Sequence, residues 1–400
     1  MKRVLYSGSV HDQAEKDAVM EVLDGGVTAF TIGKNVAEME RQVAARFGKS
    51  SGVMVNSGSS ALYLAVELLD LPAGSEVITS TLTFSTDISS LVRAGLVPVF
   101  VDVEPDTFNT DVAKIEELIS PRTRAILLPN LSGNAPDWDA VRAIADRHDL
   151  LVVEDSCDAL GHTLRGTPTG TRADISLTSF ANSHIITCAG NGGMVLLDSE
   201  ALRDRGLLLR RWGRRSEVQL YGSRQGERNF WEDIDGVHYD NMFIFDELGW
   251  NFEPSEMGAA FGLQQLKKLP VNYARRQRNF AMYREFFAQH TDRIIPPRQT
   301  PELDTAWLCF PIIVRPDAGF TRSDVQQDLE EHAVDTRTVW TGNAVRQPMM
   351  KNVNYRAPEG GMPNADLVMT GGMILPMSHA IDDDGINYVC EQFGEFLQQQ

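Results

Sequence analysis

Cysteine is scarce in this chain: four occur among 400 residues, at Cys157, Cys188, Cys309 and Cys390. None forms a CxxC pair and no His-x-His neighbour accompanies them, which excludes a disulfide framework and leaves no metal site to expect. Reduced thiols of a cytoplasmic protein are the simplest reading. Long apolar runs are also missing, so no membrane span is expected. Lys2 and Arg3 open the chain, but no apolar stretch follows to make a secretion signal. Positive charge is in deficit: 37 lysines and arginines face 55 acidic residues, for a net charge of −18. That balance repels nucleic acid and anionic membrane. An anionic ligand would have to be met by arginines gathered locally. Arg210, Arg211, Arg214 and Arg215, around Trp212-Gly213, form the densest such group, although a solvated helix end fits it equally well.

What is present is an ordinary globular composition, 42% hydrophobic and 23% charged. Six short β-branched or continuously apolar runs, at 77–80, 97–103, 125–128, 150–155, 175–178 and 193–197, alternate with amphipathic stretches such as 138–145. Strands apolar on both faces, alternating with helices at this spacing, predict a mostly parallel sheet covered on both sides. Ligands of such sheets bind beyond the carboxyl ends of the strands. Phe84, Asp155, Ser179 and His184 all follow predicted strands. From 255 to 289 the pattern is helical; after Pro296-Pro297 come a strand-like 306–314 and a helix near 323–332. Two domains are expected, a large α/β domain at 1–274 and a small α+β domain at 275–400, without internal repeats.

Several motifs carry possible chemistry, each with a plainer explanation beside it. Val55-Asn56-Ser57-Gly58-Ser59-Ser60 is a small-residue turn opening an apolar helix, a backbone arrangement suited to phosphate; an N-cap by Ser57 or Ser59 explains it as well. Asp155, after a buried strand, can pair with a protonated ring nitrogen or cap a helix. Phe84 can stack on a ring, although a core phenylalanine is the commoner outcome. His184 alone would more often be structural than catalytic. Its setting, with Ser179 five positions before it and the turn Gly190-Asn191-Gly192-Gly193 after it, favours chemistry.

Taken together, Asn56-Ser57-Gly58-Ser59-Ser60-Ala61-Leu62, Pro98-Val99-Phe100-Val101-Asp102-Val103, Glu154-Asp155-Ser156-Cys157-Asp158-Ala159-Leu160-Gly161, Ser179-Phe180 and Leu248-Gly249-Trp250-Asn251 resemble the DegT/StrS family of sugar aminotransferases. The resemblance runs from Phe30 nearly to the C-terminus. It implies a fold-type I, aspartate aminotransferase-like architecture, with a large, mostly parallel seven-stranded sheet domain and a small C-terminal α+β domain. It also implies pyridoxal or pyridoxamine 5′-phosphate as cofactor, and a homodimer with shared sites. In the aminotransferases a lysine at the position of His184 joins the cofactor covalently. An imidazole cannot do so but can still move protons.

Three features resemble the nucleotide-sugar 3-dehydratase subgroup: His184, the Cys157-Asp158-Ala159-Leu160-Gly161 run, and Thr341-Gly342-Asn343-Ala344-Val345-Arg346-Gln347-Pro348. The implied roles are phosphate binding by Gly58, Ser59 and Ser60 with Ser179, ring stacking by Phe84, and ring-nitrogen pairing by Asp155. Asp158 would lie near the ring hydroxyl, Asn251 would reach the phosphate of the neighbouring subunit, and His184 would be the base. Arg214, Asn343 and Arg346 are the expected substrate contacts. The implied reaction removes the C3 hydroxyl of a nucleotide-linked 4-keto-6-deoxyhexose, with L-glutamate restoring the pyridoxamine form. Such chemistry belongs to deoxysugar biosynthesis, for a lipopolysaccharide O-antigen or a natural product.

The chain departs from its relatives in two places. Cys157 matches one ligand of the iron–sulfur branch, but 215–229 contains no cysteine, so a four-thiolate cluster and its reductase partner are rejected. Asn191 stands where relatives commonly carry glutamate. Another sugar-modifying enzyme or aminotransferase of the same family, or a noncatalytic cofactor-binding homologue, remains an alternative.

Overall fold

The computed structural model describes residues 3–227 and 231–400. Its centre is a seven-stranded sheet of β1 (Ser51–Val55), β2 (Glu76–Ser80), β3 (Val97–Val101), β4 (Thr123–Pro129), β5 (Leu151–Asp155), β6 (Ile175–Ser179) and β7 (Gly193–Leu197), in the order β1-β7-β6-β5-β4-β2-β3. The neighbours from β6 to β3 pair in parallel. Only β7 runs against its neighbours, β1 and β6. The expected fold class is the observed one. The apolar runs are buried on both faces as anticipated: Ala125 and Leu127 of β4 point into one cluster, and Ile126 and Leu128 into another.

Helices cover both faces. On one side α3 (Gly58–Leu68), α4 (Ser85–Arg93) and α6 (Glu200–Arg210) contribute to the cluster around Val53, Leu127 and Leu177. On the other, α2 (Lys34–Phe47) and α5 (Trp138–His148) cover different parts of the sheet, with α1 (Gln13–Leu23) outside. The short α7 (Ser216–Tyr221) follows α6, and α8 (Glu256–Phe287) completes the layer. The helical pattern expected from 255 to 289 is one continuous 32-residue helix with Pro270 inside it. Proline forfeits a helix hydrogen bond, but burial along the whole length of α8, from Ala259 to Phe287, outweighs that loss. The domain division expected at 274/275 falls within this helix.

Beyond α8 lies a four-stranded antiparallel sheet of β8 (Ile294–Ile295), β9 (Phe310–Val314), β10 (Arg337–Thr338) and β11 (Gly372–Leu375), in the order β8-β9-β11-β10. It packs with α9 (Arg322–Glu331) and α11 (Asp383–Gln399) over an aromatic core that includes Phe280, Tyr283, Trp307 and Phe310. A further cluster joins Phe100 and Phe108 of the large sheet region to Ile313, Val339 and Ile374, with α10 (Pro363–Gly371) closing it. Among the described residues no helix is long and apolar enough to cross a membrane.

Candidate active site

The carboxyl ends of β5 and β6, the loop after β2 and the start of α3 enclose a cavity of about 390 Å³. This is where a parallel sheet presents its ligand site. The floor follows from local sequence. Ser57 caps α3 by accepting the Ser60 N–H at 3.1 Å. Among the described residues the N–H groups of Gly58 and Ser59 have no partner, so they stand free at the positive end of the helix. A Cβ at position 58 would lie 2.6 Å from Ser179 Cβ and 2.8 Å from its Oγ. Glycine is therefore what lets the Ser179 hydroxyl approach the helix start, and the three groups together form an anion seat.

Phe84, half exposed, ends the loop after β2 and presents its ring to the cavity instead of the core. Asp155 terminates β5 and accepts the Cys157 N–H at 2.8 Å. Asp158 accepts the Ser132 N–H at 3.0 Å. Burial raises the Asp155 pKa, and burial with the neighbouring Asp155 charge pushes Asp158 up to about 8. Among the described residues no lysine or arginine pairs with either acid. The strand ends are braced from the core. Buried Trp138 donates its indole N–H to Asn130 at 2.7 Å, and Asn130 in turn donates to Glu154 and Ser156.

His184 sits in the loop between β6 and β7, its backbone N–H turned onto the Ala181 carbonyl. Its Nδ1 is buried without a hydrogen bond, 3.7 Å from Asp158 Oδ1. Burial, and secondarily the Arg276 charge, lowers its pKa to about 4. It is therefore neutral at neutral pH, more firmly so than its ordinary value implies. Among the described residues no lysine or arginine lines the cavity.

The cavity thus gathers Gly58, Ser59, Phe84, Asp155, Asp158, Ser179 and His184. The other expected residues lie outside it. Ser60 does not line the cavity and turns its hydroxyl to Asn56, at 2.6 Å. Asn343 is buried and does not reach the cavity: it accepts from the Thr81 hydroxyl and the Val345 N–H and donates to Asp366. Its role here is to hold the loop leading to Phe84. Arg346 pairs with Asp366 at the surface, at 2.6 Å. Asn251 and Arg214 stand beyond the cavity on an outer edge, bridged to Arg211 and Phe245 respectively. In the arginine group, Arg210, Arg211 and Arg215 all pair with carboxylates. Arg214 has no ion-pair partner among the described residues and lies 4.6 Å over the Trp212 ring.

Sequence reasoning missed Tyr6, Asn130, Leu308 and Trp340, all of which line the cavity. Tyr6 arrives from the N-terminal segment and Trp340, with φ of +35°, from the far side of the small sheet. Neither lies in a periodic stretch that would have marked it. The four cysteines are free, and no group of three or more histidine, cysteine or acidic side chains among the described residues suits a metal ion.

Residues 10–394 match the family described as DegT/DnrJ/EryC1/StrS aminotransferases. A dTDP-4-dehydro-2,6-dideoxy-D-glucose 3-dehydratase of Saccharopolyspora spinosa is 36% identical, over 98% of this chain and 86% of its own length. The solved structure of the E. coli GDP-4-keto-6-deoxy-D-mannose-3-dehydratase with bound hydrated PLP superposes with a TM-score of 0.89 at 28% identity, covering 98% of this chain and all of that one. A GDP-4-keto-6-deoxymannose-3-dehydratase with a trapped PLP–glutamate geminal diamine gives 0.88 at 28% identity, over 97% of this chain and 99% of that one.

Proposed function

This chain belongs to the DegT/DnrJ/EryC1/StrS aminotransferase family, and we propose that within it the protein is a pyridoxal/pyridoxamine phosphate-dependent 3-dehydratase of a nucleotide-linked 4-keto-6-deoxyhexose. The observation that carries the reading is a cavity lined by His184 and, among the described residues, by no lysine. Aminotransfer in this family needs an amine there to hold the cofactor covalently. The names of the relatives point the same way.

The residues present fit the cofactor. Free N–H groups at Gly58 and Ser59, with the Ser179 hydroxyl, suit its phosphate. The Phe84 face suits its ring, and Asp155, a buried acid without a cationic partner among the described residues, suits a protonated ring nitrogen. Asp158, pushed up to about 8, is largely protonated at neutral pH and can donate to a ring oxygen. When bound, the ring supplies an electron sink for negative charge developing beside the sugar.

His184 handles the proton. Neutral in its buried position, it is free to accept one. Once charged there it is a strong acid, because burial and Arg276 both oppose the imidazolium. It then hands the proton to the departing C3 hydroxyl. Burial in the cavity keeps water from competing for that proton. Glutamate is the amino donor in this reading, in keeping with the glutamate adduct named in a solved relative.

We also infer a homodimer whose second copy completes the site. Among the described residues no arginine reaches the cavity from within one chain, while Arg214 and Asn251 share an edge with exposed Phe243, Phe245, Leu248 and Trp250. Apolar exposure of that kind on a soluble protein marks an interface.

The test is mass spectrometry of a reaction containing the protein, pyridoxal phosphate, glutamate and a panel of dTDP-, GDP- and CDP-linked 4-keto-6-deoxyhexoses. Loss of the C3 oxygen with release of ammonia and 2-oxoglutarate is expected. An amino sugar as product would overturn the assignment of His184.

A further inference from the structure

We propose that Asp87 is a positioning residue for Asp155: its protonated carboxyl donates a hydrogen bond to the Asp155 carboxylate and holds it as the charged member of the pair. The inference rests on the reading of the cavity just given.

Asp87 lies in the first turn of α4, three residues after Phe84, and is fully buried. One of its oxygens accepts the Thr83 hydroxyl; the other, Oδ1, has no donor within the described residues. Its side chain faces that of Asp155, close enough for the two acids to act directly on each other. Two carboxylates can touch in a dry site only if a proton lies between them.

The surroundings decide which acid keeps the proton. Asp155 accepts the Cys157 N–H at 2.8 Å, accepts from the Cys157 thiol and lines the cavity. Asp87 has one hydroxyl, an empty Oδ1 and no opening. The charged or ionisable groups acting on the pair are Asp158 and Glu154, both acidic, and Cys157, a thiol; no lysine or arginine is among them. The start of α4 favours charge on Asp87, but a helix end is a weak influence beside a buried carboxylate in contact. Burial and the Asp155 charge accordingly hold Asp87 well above the carboxylate range, whereas hydrogen bonds from Cys157 and Asp87 pull Asp155 back against its own burial.

The consequence for the site is a match of charge. With Asp87 neutral, the pair carries a single negative charge, which one protonated ring nitrogen balances. Without that donor, Asp155 would itself become protonated in the dry site and lose its hold on the nitrogen.

Two variants separate the hydrogen bond from mere packing. Asp87→Asn keeps a neutral donor; Asp87→Leu keeps volume without one. In the protein prepared without cofactor, the infrared difference spectrum between wild type and Asp87→Asn at neutral pH is expected to show a protonated-carboxyl stretch lost in the variant. In titrations with pyridoxal phosphate, Asp87→Asn is expected within about threefold of wild type. Asp87→Leu is expected to bind about tenfold or more weakly, in line with a hydrogen bond to a charged group. The bound chromophore of Asp87→Leu should also lose its ring-nitrogen proton at lower pH. The proposal is overturned if the infrared band is absent, if Asp87→Leu binds as tightly as wild type, or if Asp87→Asn is as impaired as Asp87→Leu. Failure of the wild type to bind pyridoxal phosphate would instead strike the proposed function, and the infrared measurement would still decide where the proton lies.

Discussion

Charge is arranged in opposite ways around Trp212 and beyond the strand ends. Around Trp212, Arg211 pairs with Glu217 and Glu253, and Arg215 with Glu232 and Asp246. Beyond the strand ends, Asp87, Asp155 and Asp158 crowd together with no cationic partner among the described residues, and His184 is held neutral. The first region satisfies itself and would be content in any folded protein. The second keeps an imbalance that only a ligand with a cationic nitrogen relieves, the pattern expected of a functional site. Arg214 is the exception in the outer region: it makes no ion pair among the described residues and lies instead over the Trp212 ring.

The largest expected break of this contrast comes from His184→Asn. Turnover should fall by about 10²–10⁴-fold, the usual size of a proton-transfer contribution, while equilibrium dialysis shows cofactor binding within a few-fold of wild type. Full activity in this variant would place the proton elsewhere.

Asp158 tests the acid cluster through pH. Its folded value of about 8 lies above the ordinary 3.8, so the native protein holds this proton more tightly than the unfolded chain. Stability from this group is therefore present below about pH 4 and is lost as pH rises through 8. Thermal melts of cofactor-free protein should show Asp158→Asn losing less stability than wild type between pH 4 and 9, by on the order of 5 kcal/mol at most. Parallel pH profiles would remove the imbalance from the comparison.

His184 runs the other way. Its folded value is depressed from 6.5 to about 4, so its stabilising share is complete above 6.5 and is lost as pH falls through 4. A loss of about 3 kcal/mol over that window is expected in wild type and not in His184→Asn, as read by urea melts at a series of pH values.

Smaller again is Arg214→Ala, expected to raise KM for the nucleotide sugar about tenfold with kcat nearly unchanged. Arg346→Ala, which breaks only an exposed pair with Asp366, should leave both constants within about twofold. If the two arginines behaved alike in steady-state kinetics, the distinction between paired and unpaired arginines would fail.

Much of this was legible in advance because burial on both faces leaves a plain signature. The apolar runs of β2 to β7 mark themselves, and the residues just past β5 and β6 then follow from how parallel sheets bind. β1 escaped: Ser51 and Gly52 blur its start, and its partner is β7, more than a hundred residues away. The helical pattern from 255 to 289 was legible, and packing along α8 carries the helix through Pro270. Nothing in the sequence singles out Asp87, and only the fold shows which carboxylate it faces. Asn343 shows the converse: a motif that resembled a substrate contact is engaged in bracing another loop.

That brace bears on how the protein is made. The Thr83 N–H bonds the Thr341 hydroxyl, which returns a bond to the Thr83 carbonyl, and the Ala344 N–H bonds the Thr81 carbonyl. The loop carrying Phe84 is thus tied to chain synthesised 258 residues later. On the ribosome the sheet can begin to form once β7 has emerged, but the Phe84 loop stays unbraced until almost the whole chain is out. Cofactor capture therefore comes late in biogenesis, and a chain truncated before residue 341 would lack the means to retain it even if its sheet folded.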